Sequence, residues 1–342
     1  YKLEENTISL QLSTYNLRLP LIIDPWSTYY GGSNNDEARA ITTDQNGDVI
    51  VAGINYNGLL PAYPGYQVGS NGNSDGFVVK FDPAGARQWA TYYGGTLNDG
   101  AVGIGADNMG NITFAGYTAS TDFPVSGGAF QSVTGGGAND AFVVQLNSAG
   151  NVLNWATYCG GLQNDEGAGL TIDNNNEIII TGRTQSADFP MTIGAFQSVK
   201  STGYDVFITK FAANGGLPLW STFYGGTVTE EGYSVATDNN NDVLVSGYTS
   251  SANFPLINAY DNTLAPFGDA FCLKMSSTGS QLWATFYGGN FADYGTGVAA
   301  DSKNNAILSV WTTSTDNLLA TPMAFQTLSG GGHDAVLVKF NS

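Results

Sequence analysis

A seven-residue phrase returns five times along this chain: Trp26-Ser27-Thr28-Tyr29-Tyr30-Gly31-Gly32, then Trp89 to Gly95, Trp155 to Gly161, Trp220 to Gly226 and Trp283 to Gly289. Successive copies start 63, 66, 65 and 63 residues apart. A period that regular marks one supersecondary unit, copied and stacked so that each copy buries the face its neighbour leaves open. The 342 residues therefore read as a lead-in segment over 1–25 and one repeat domain over 26–342, with units near 26–88, 89–154, 155–219, 220–282 and 283–342. The lead-in alternates loosely at Thr7-Ile8-Ser9-Leu10-Gln11-Leu12, as a strand does. It begins at Tyr1 with no signal-peptide apolar core, which reads as a processed or excised piece of a larger polypeptide.

Each unit splits into four extended runs separated by turn residues. In the second copy these are Ala101–Gly105, Asn111–Tyr117, Ala141–Leu146 and Asn154–Tyr158. The chain holds 45 glycines but only 11 Lys and Arg, which suits tight turns and leaves little for long amphipathic helices. Four short strands per unit define a propeller blade, so the expected fold is all-β, a five-bladed β-propeller. In the first run small residues alternate (Ala38 and Ala40, Ala101 and Gly103, Gly167 and Gly169, Gly232 and Ser234, Gly295 and Gly297), as expected where inner strands converge on a narrow axis. Turns such as Asp44-Gln45-Asn46-Gly47-Asp48 close the next hairpin through Asp and Asn side chains. Further on, Asp122-Phe123-Pro124 and Asp188-Phe189-Pro190 open loops pinned by buried Phe. The array starts on a fourth strand and ends on a third, Asp334–Phe340. Residues 26–31 are thus expected to complete the last blade beside 335–341 and close the ring, hiding both edges, the competing reading being an open excerpt of a longer array.

The net charge of −18 repels phosphate backbones and anionic lipid, so neither nucleic acid nor a membrane surface is an expected partner. No run of 18 apolar residues is present, so no helical membrane insertion is expected. Cys159 and Cys272 stand at unrelated positions of different copies and read as small buried apolar residues.

Taken in order, Trp-Ala-Thr-Tyr-Tyr-Gly-Gly, an acid four places on, Asp-x-x-Gly-Asn-Ile, Gly-Tyr-Thr-x-Ser-x-Asp-Phe-Pro, Gly-Ala-Phe-Gln and Asp-Ala-Phe-Val-x-Lys resemble the SBBP β-propeller repeat family across residues 26–342. The lead-in Pro20-Leu21-Ile22-Ile23-Asp24-Pro25 is also similar to what precedes such arrays. The resemblance implies a secreted or surface-displayed bacterial protein, often of Bacteroidetes and attached to type IX secretion signals. Five copies depart from the seven blades that the family name suggests. The first copy also departs at Asn55-Tyr56-Asn57-Gly58-Leu59-Leu60-Pro61, and the fifth, with Asp316-Asn317-Leu318, lacks the Phe-Pro pair.

Three acidic positions recur in every copy: Asp36, Asp99, Asp165, Glu230 and Asp293; Asp44, Asp107, Asp173, Asp238 and Asp301; and Asp75, Asp140, Asp205, Asp269 and Asp334. They account for 15 of the 29 acids, and a feature common to all blades reads as the blades' own hydrogen bonding. The first set precedes the innermost strand, and the sharper reading is a carboxylate ring at one channel mouth, a site suited to Ca²⁺. No organic cofactor is implied. The second set begins like an EF-hand loop, but the twelfth residue is Asn55, Thr118, Thr184, Thr249 or Thr312, never the Glu such a loop needs.

Catalytic signals are sparse. His333 is the one histidine and reads as a solvated loop residue with no nucleophile elbow to serve. The acids unique to their copies, Glu37, Glu166, Glu231 and Asp261, form no recognisable constellation in sequence. Aromatics of the diverged loops, Tyr56, Tyr63, Tyr66, Tyr204 and Tyr260, suit sugar faces or a protein partner, while Trp311 reads as outer-strand packing. The expected function is that of an extracellular binding or structural module, an adhesin, lectin-like unit or scaffold, with a glycan or protein partner at the cell surface. The alternative from another class is a carbohydrate-active hydrolase or lyase using carboxylates at the channel mouth.

Overall fold

A computed structural model describes residues 2–4, 7–9, 26–61, 64–315, 320–321 and 323–341. Strands β1 (Lys2–Glu4) and β2 (Thr7–Ser9) form a small antiparallel hairpin within the lead-in. The rest is five consecutive antiparallel sheets. The first contains β3 (Asp36–Thr43), β4 (Val49–Asn55), β5 (Asp75–Phe81) and β6 (Arg87–Tyr93). The second contains β7 (Asp99–Ala106), β8 (Ile112–Thr118), β9 (Asp140–Leu146) and β10 (Leu153–Cys159). The third contains β11 (Asp165–Ile172), β12 (Ile178–Thr184), β13 (Asp205–Phe211) and β14 (Pro218–Tyr224). The fourth contains β15 (Glu230–Thr237), β16 (Val243–Thr249), β17 (Asp269–Met275) and β18 (Gln281–Tyr287), and the fifth β19 (Asp293–Ala300), β20 (Ala306–Thr312) and β21 (Asp334–Phe340).

Blades stack face to face through their inner strands. β3 packs on β7, β7 on β11, β11 on β15 and β15 on β19. A methyl group on Gly103 would lie 2.8 Å from the Leu170 backbone nitrogen of the neighbouring blade, so the approach is backbone to backbone and the small residues are obligatory there. Third strands are buried along their whole length in the first four sheets, whereas β21 alternates half-buried and exposed residues, because none of the described residues covers the outer face of the fifth.

The closing strand is where structure and sequence part. Residues 26–31 form no strand, the fifth sheet has three strands among the described residues, and Trp26 packs on the first blade instead, 5.6 Å from the Phe81 ring and over Gly85. That placement copies the phrase elsewhere: Trp89 lies over Gly150 and Trp220 over Gly279 of the following blade, each indole N–H donating to a turn carbonyl, Ser148 or Ser277, at 3.0 Å. One half of the expected joint is in place and the other, pairing with β21, is not made.

The first turn of each blade carries two devices. Asp44, Asp107, Asp173, Asp238 and Asp301 each accept two turn amides, which lets the fourth turn residue take a left-handed conformation as Gly47, Gly110, Asn176, Asn241 or Asn304. The three Asn also reach across blades: Asn176, Asn241 and Asn304 Oδ1 accept the N–H of Asn108, Asn174 and Asn239, all at 3.1 Å. Asn241→Gly keeps the left-handed backbone and removes only this bond, so a loss of about 1 kcal/mol is expected by urea titration, with Asn241→Ala costing about 1 kcal/mol more.

Candidate functional site

The repeated acids are structural, each within or between blades. In the first set Asp36, Asp99, Asp165, Glu230 and Asp293 accept the N–H of the second glycine of the preceding phrase at 2.6 to 2.8 Å. Asp99, Asp165 and Asp293 also take a hydroxyl from Ser120, Ser186 or Ser314, and Glu230 takes that of Thr249. All but Asp36 are fully buried, so these carboxylates build no ring at a channel mouth. Among the described residues no group of three His, Cys, Asp or Glu is placed to hold a metal ion. The second set pairs with a lysine two strands away: Lys80 with Asp44, Lys210 with Asp173, Lys274 with Asp238, at 2.7 Å each, and Lys339 with Asp301 at 2.5 Å. The first three of these turns line a polar cavity of about 340 Å³, where Asp44 and Asp173 are committed to their lysines and Asp107 to its turn amides and the Asn111 side chain.

The opposite end is different. The residue after each first-set acid pairs with the next-to-last residue of the second strand: Glu37 with Ile54, Gly100 with Tyr117, Glu166 with Arg183, Glu231 with Tyr248 and Tyr294 with Trp311. Backbone geometry is conserved at these positions while no two blades hold the same pair of side chains. A β-bulge beyond each pair, at Arg39, Val102, Ala168, Tyr233 and Thr296, adds one more variable residue per blade beside the axis.

These positions form one continuous strip. Arg183 Nη2 and Nε donate to Glu166 Oε2 at 2.7 and 3.1 Å, and Nη1 reaches Glu231 Oε1 of the next blade at 2.9 Å. Its guanidinium lies 4.8 Å from the centroid of the Tyr204 ring. Burial raises the Glu166 pKa, but bonds from Asn164, Arg183 and Asn139 and the Arg183 charge outweigh it, so the carboxyl lies below its ordinary range. Tyr233 donates to Glu231 at 2.9 Å. Beyond it four rings follow in file: Tyr248 stacks on Tyr294 at 4.8 Å, Tyr294 meets Trp311 tilted at 5.1 Å, and Trp311 meets His333 tilted at 4.7 Å. Trp311 remains 41% exposed, and beside Tyr248 the stacked pair Phe267 and Phe291 is exposed as well. Toward the first blade, Tyr117 sits amid Tyr56, Arg39, Glu166 and Glu37.

Two of the aromatics singled out from sequence thus belong to this mouth, Tyr56 and Tyr204. Tyr66 and Tyr260 do not: they stack on Tyr93 and Tyr287 as Phe196 stacks on Tyr224, a loop pin repeated from blade to blade. Tyr63 lies outside the described residues. Glu37, Glu166 and Glu231, which formed no constellation in sequence, are strip residues, and so is Trp311, which lies on the second strand β20 against Tyr294 and His333 rather than in outer-strand packing. Cys159 and Cys272 are fully buried, and burial pushes both thiols up.

Residues 154–190 match the family model described as SBBP, beta-propeller repeat. This supports the resemblance of the repeat and, with the sheets above, makes the chain a β-propeller repeat protein. Among curated proteins, it is 25% identical over 333 residues to an uncharacterized WD repeat-containing protein, L264, of Acanthamoeba polyphaga mimivirus, an alignment covering 79% of this chain and 24% of that protein. It is 26% identical over 176 residues to the regulatory protein FlaEY of Caulobacter vibrioides, covering 52% and 17%. The chain spans less than a quarter of the length of either relative. Among solved structures, a protein of unknown function from Dyadobacter fermentans aligns with TM-score 0.41 at 12% identity, over 88% of this chain and 75% of that one. The WD40 propeller domain of Doa1 aligns with TM-score 0.26 at 10% identity, over 82% and 94%.

Proposed function

We propose that this chain is the binding module of a secreted, surface-displayed polypeptide, an adhesin or lectin-like unit of the kind exported by type IX secretion. Its five blades close into a ring, and its ligand is a neutral glycan laid along the variable mouth. The observation that carries this reading is the strip itself. At positions where the fold needs only a strand, five blades hold five different pairs, and those pairs join into an Arg183-centred bridge and a file of rings. Sugar rings suit exposed aromatic faces, and their hydroxyls suit Glu166, Glu231 and Arg183 at the edge. The overall charge of −18 disfavours an anionic ligand. Glycosidic cleavage needs one protonated carboxyl beside the sugar, whereas Glu166 is held ionised and Arg183 ties it to Glu231, so binding fits the mouth better than hydrolysis.

The test is an immobilised panel of neutral, amino and acidic glycans, run with and without chelator. Retention of a neutral glycan, unchanged by chelator and at least tenfold weaker in Trp311→Ala and Arg183→Ala, is expected, a loss of about 1.4 kcal/mol or more. No retention of any glycan, or equal binding by both variants, refutes the reading.

A further inference from the structure

At four blade boundaries two buried carboxylates, one from the third strand of a blade and one from the first strand of the next, close on the first glycine of the phrase between them. A methyl group on Gly160 would lie 2.2 Å from Asp140 Oδ1 and 3.0 Å from Asp165 Oδ2. On Gly94 it would meet Asp75 Oδ1 at 2.5 Å and Asp99 Oδ2 at 2.7 Å, and Gly225 and Gly288 stand alike between Asp205 and Glu230 and between Asp269 and Asp293. In each third-strand acid Oδ2 is spent on its own loop, on the N–H of Asn71, Gly135, Ser201 or Ala265. Asp75, Asp140 and Asp205 Oδ1 face the junction, buried and without a hydrogen-bond partner. Two carboxylates so placed cannot both stay ionised cheaply. Burial, with the neighbouring acid's charge, lifts Asp140 to about 7 and Asp99 to about 6.

The fifth boundary has the same parts, apart. Asp334 Oδ2 accepts Gly330 N–H at 2.9 Å just as Asp140 accepts Gly135, and Asp36 Oδ2 accepts Gly32 N–H at 2.6 Å just as Asp165 accepts Gly161. A methyl group on Gly31 would meet Asp36 Oδ2 at 2.6 Å, and its three nearest neighbours all belong to Asp36, where Gly94, Gly160, Gly225 and Gly288 each have two carboxylates among theirs. We infer that Asp334 and Asp36 are the two halves of a fifth junction pair, brought together around Gly31 when residues 26–31 pair with β21, so that ring closure takes up a proton from solvent and is favoured in acid. This rests on the closed-ring reading above. The groups facing Asp36 are the Asn55 amide and the Tyr30 and Tyr92 phenols, with Arg87 beside Tyr30. Leu59 occupies the place that Asp122 holds at the second blade, so no third acid intrudes. Asp334 is faced by the Ser329 hydroxyl and the Gly330 and Gly331 amides, and His333 precedes it.

The experiment is a distance measurement between spin labels at Gln45→Cys and Ser302→Cys, on the first turns of blades one and five, from pH 8 to pH 5. The native thiols are fully buried and stay unlabelled. A short-distance population whose ratio to the long one rises at least tenfold toward pH 5 is expected. In Asp334→Asn, whose amide stands in for the protonated acid, the short distance should prevail at every pH, with less than twofold change. His333→Gln should respond as wild type, and a lost response there would assign the effect to the imidazole and overturn the proposal. A short distance at all pH in wild type leaves closure standing and refutes the proton linkage. No short distance in either protein refutes closure itself, and a short distance that vanishes on dilution, reporting pairing with a second copy, refutes closure within one chain.

Discussion

Lys210→Met is expected to destabilise the protein by about 3–5 kcal/mol, the largest effect of any single polar substitution in the chain. The Lys210 ammonium is almost wholly buried between Asp173, at 2.7 Å, and Glu177, at 2.6 Å, and its removal leaves the buried Asp173 charge without a counterion. The second blade shows a neutral solution to the same turn. There Gln145 replaces the lysine and donates to Thr113 at 3.1 Å, while Asn111 donates to Asp107 at 2.8 Å. Carrying that set into the third blade as Lys210→Gln, Ile179→Thr and Glu177→Asn should recover most of the loss. Urea titration of the wild type, the single variant and the triple variant checks both statements. A single variant within 1 kcal/mol of wild type, or a triple variant no better than the single, would contradict them.

The second large effect is a rise in stability as pH falls from 8 to about 5. Asp140 and Asp99, lifted to about 7 and about 6, bind protons more tightly folded than unfolded. Their contribution is complete below the unfolded carboxylate value and is lost as pH climbs through the folded values. Ceilings on the order of 4 kcal/mol for Asp140 and 3 kcal/mol for Asp99 follow from those shifts. Asp75, Asp165, Asp205 and Glu230 are raised in the same direction, chiefly by burial. Acids held below their ordinary range, among them Asp44, Asp122 and Glu166, act oppositely and withdraw stability only as pH drops below about 4. The urea midpoint should therefore be higher at pH 5 than at pH 8, and Asp140→Asn should flatten the curve between them. A midpoint that falls steadily from pH 8 to pH 5 would be the contrary result.

Much of the scaffold was legible because each repeated residue does the same local job in every copy that carries it. Gly103 marks the close approach of inner strands, Phe123 and Phe189 the pinned loops, and Asp44 the turn that follows, and all three are visible as period and residue type. What period could not show was pairing across strands. The lysines of Asp-Ala-Phe-Val-x-Lys stand well over 30 residues from their aspartates, and only the register of β12 on β13 sets Lys210 over Asp173. The mouth was hidden for the opposite reason. Glu37, Glu166 and Glu231 occupy equivalent positions, but Gly100 and Tyr294 interrupt the series, so the column reads as noise until Arg183 is seen to span two blades. Comparing copies column by column and setting aside those that agree would have found it.

The location of the ligand site is best tested by hydrogen–deuterium exchange of the protein with and without saturating neutral glycan. Added protection is predicted around Glu166, Arg183, Glu231, Tyr294 and Trp311, with the outer-rim loop at Tyr66 and Tyr260 unchanged. Protection confined to the Tyr66 and Tyr260 loops, with the mouth exchanging as in the free protein, would contradict the assignment of function to the positions where the blades differ.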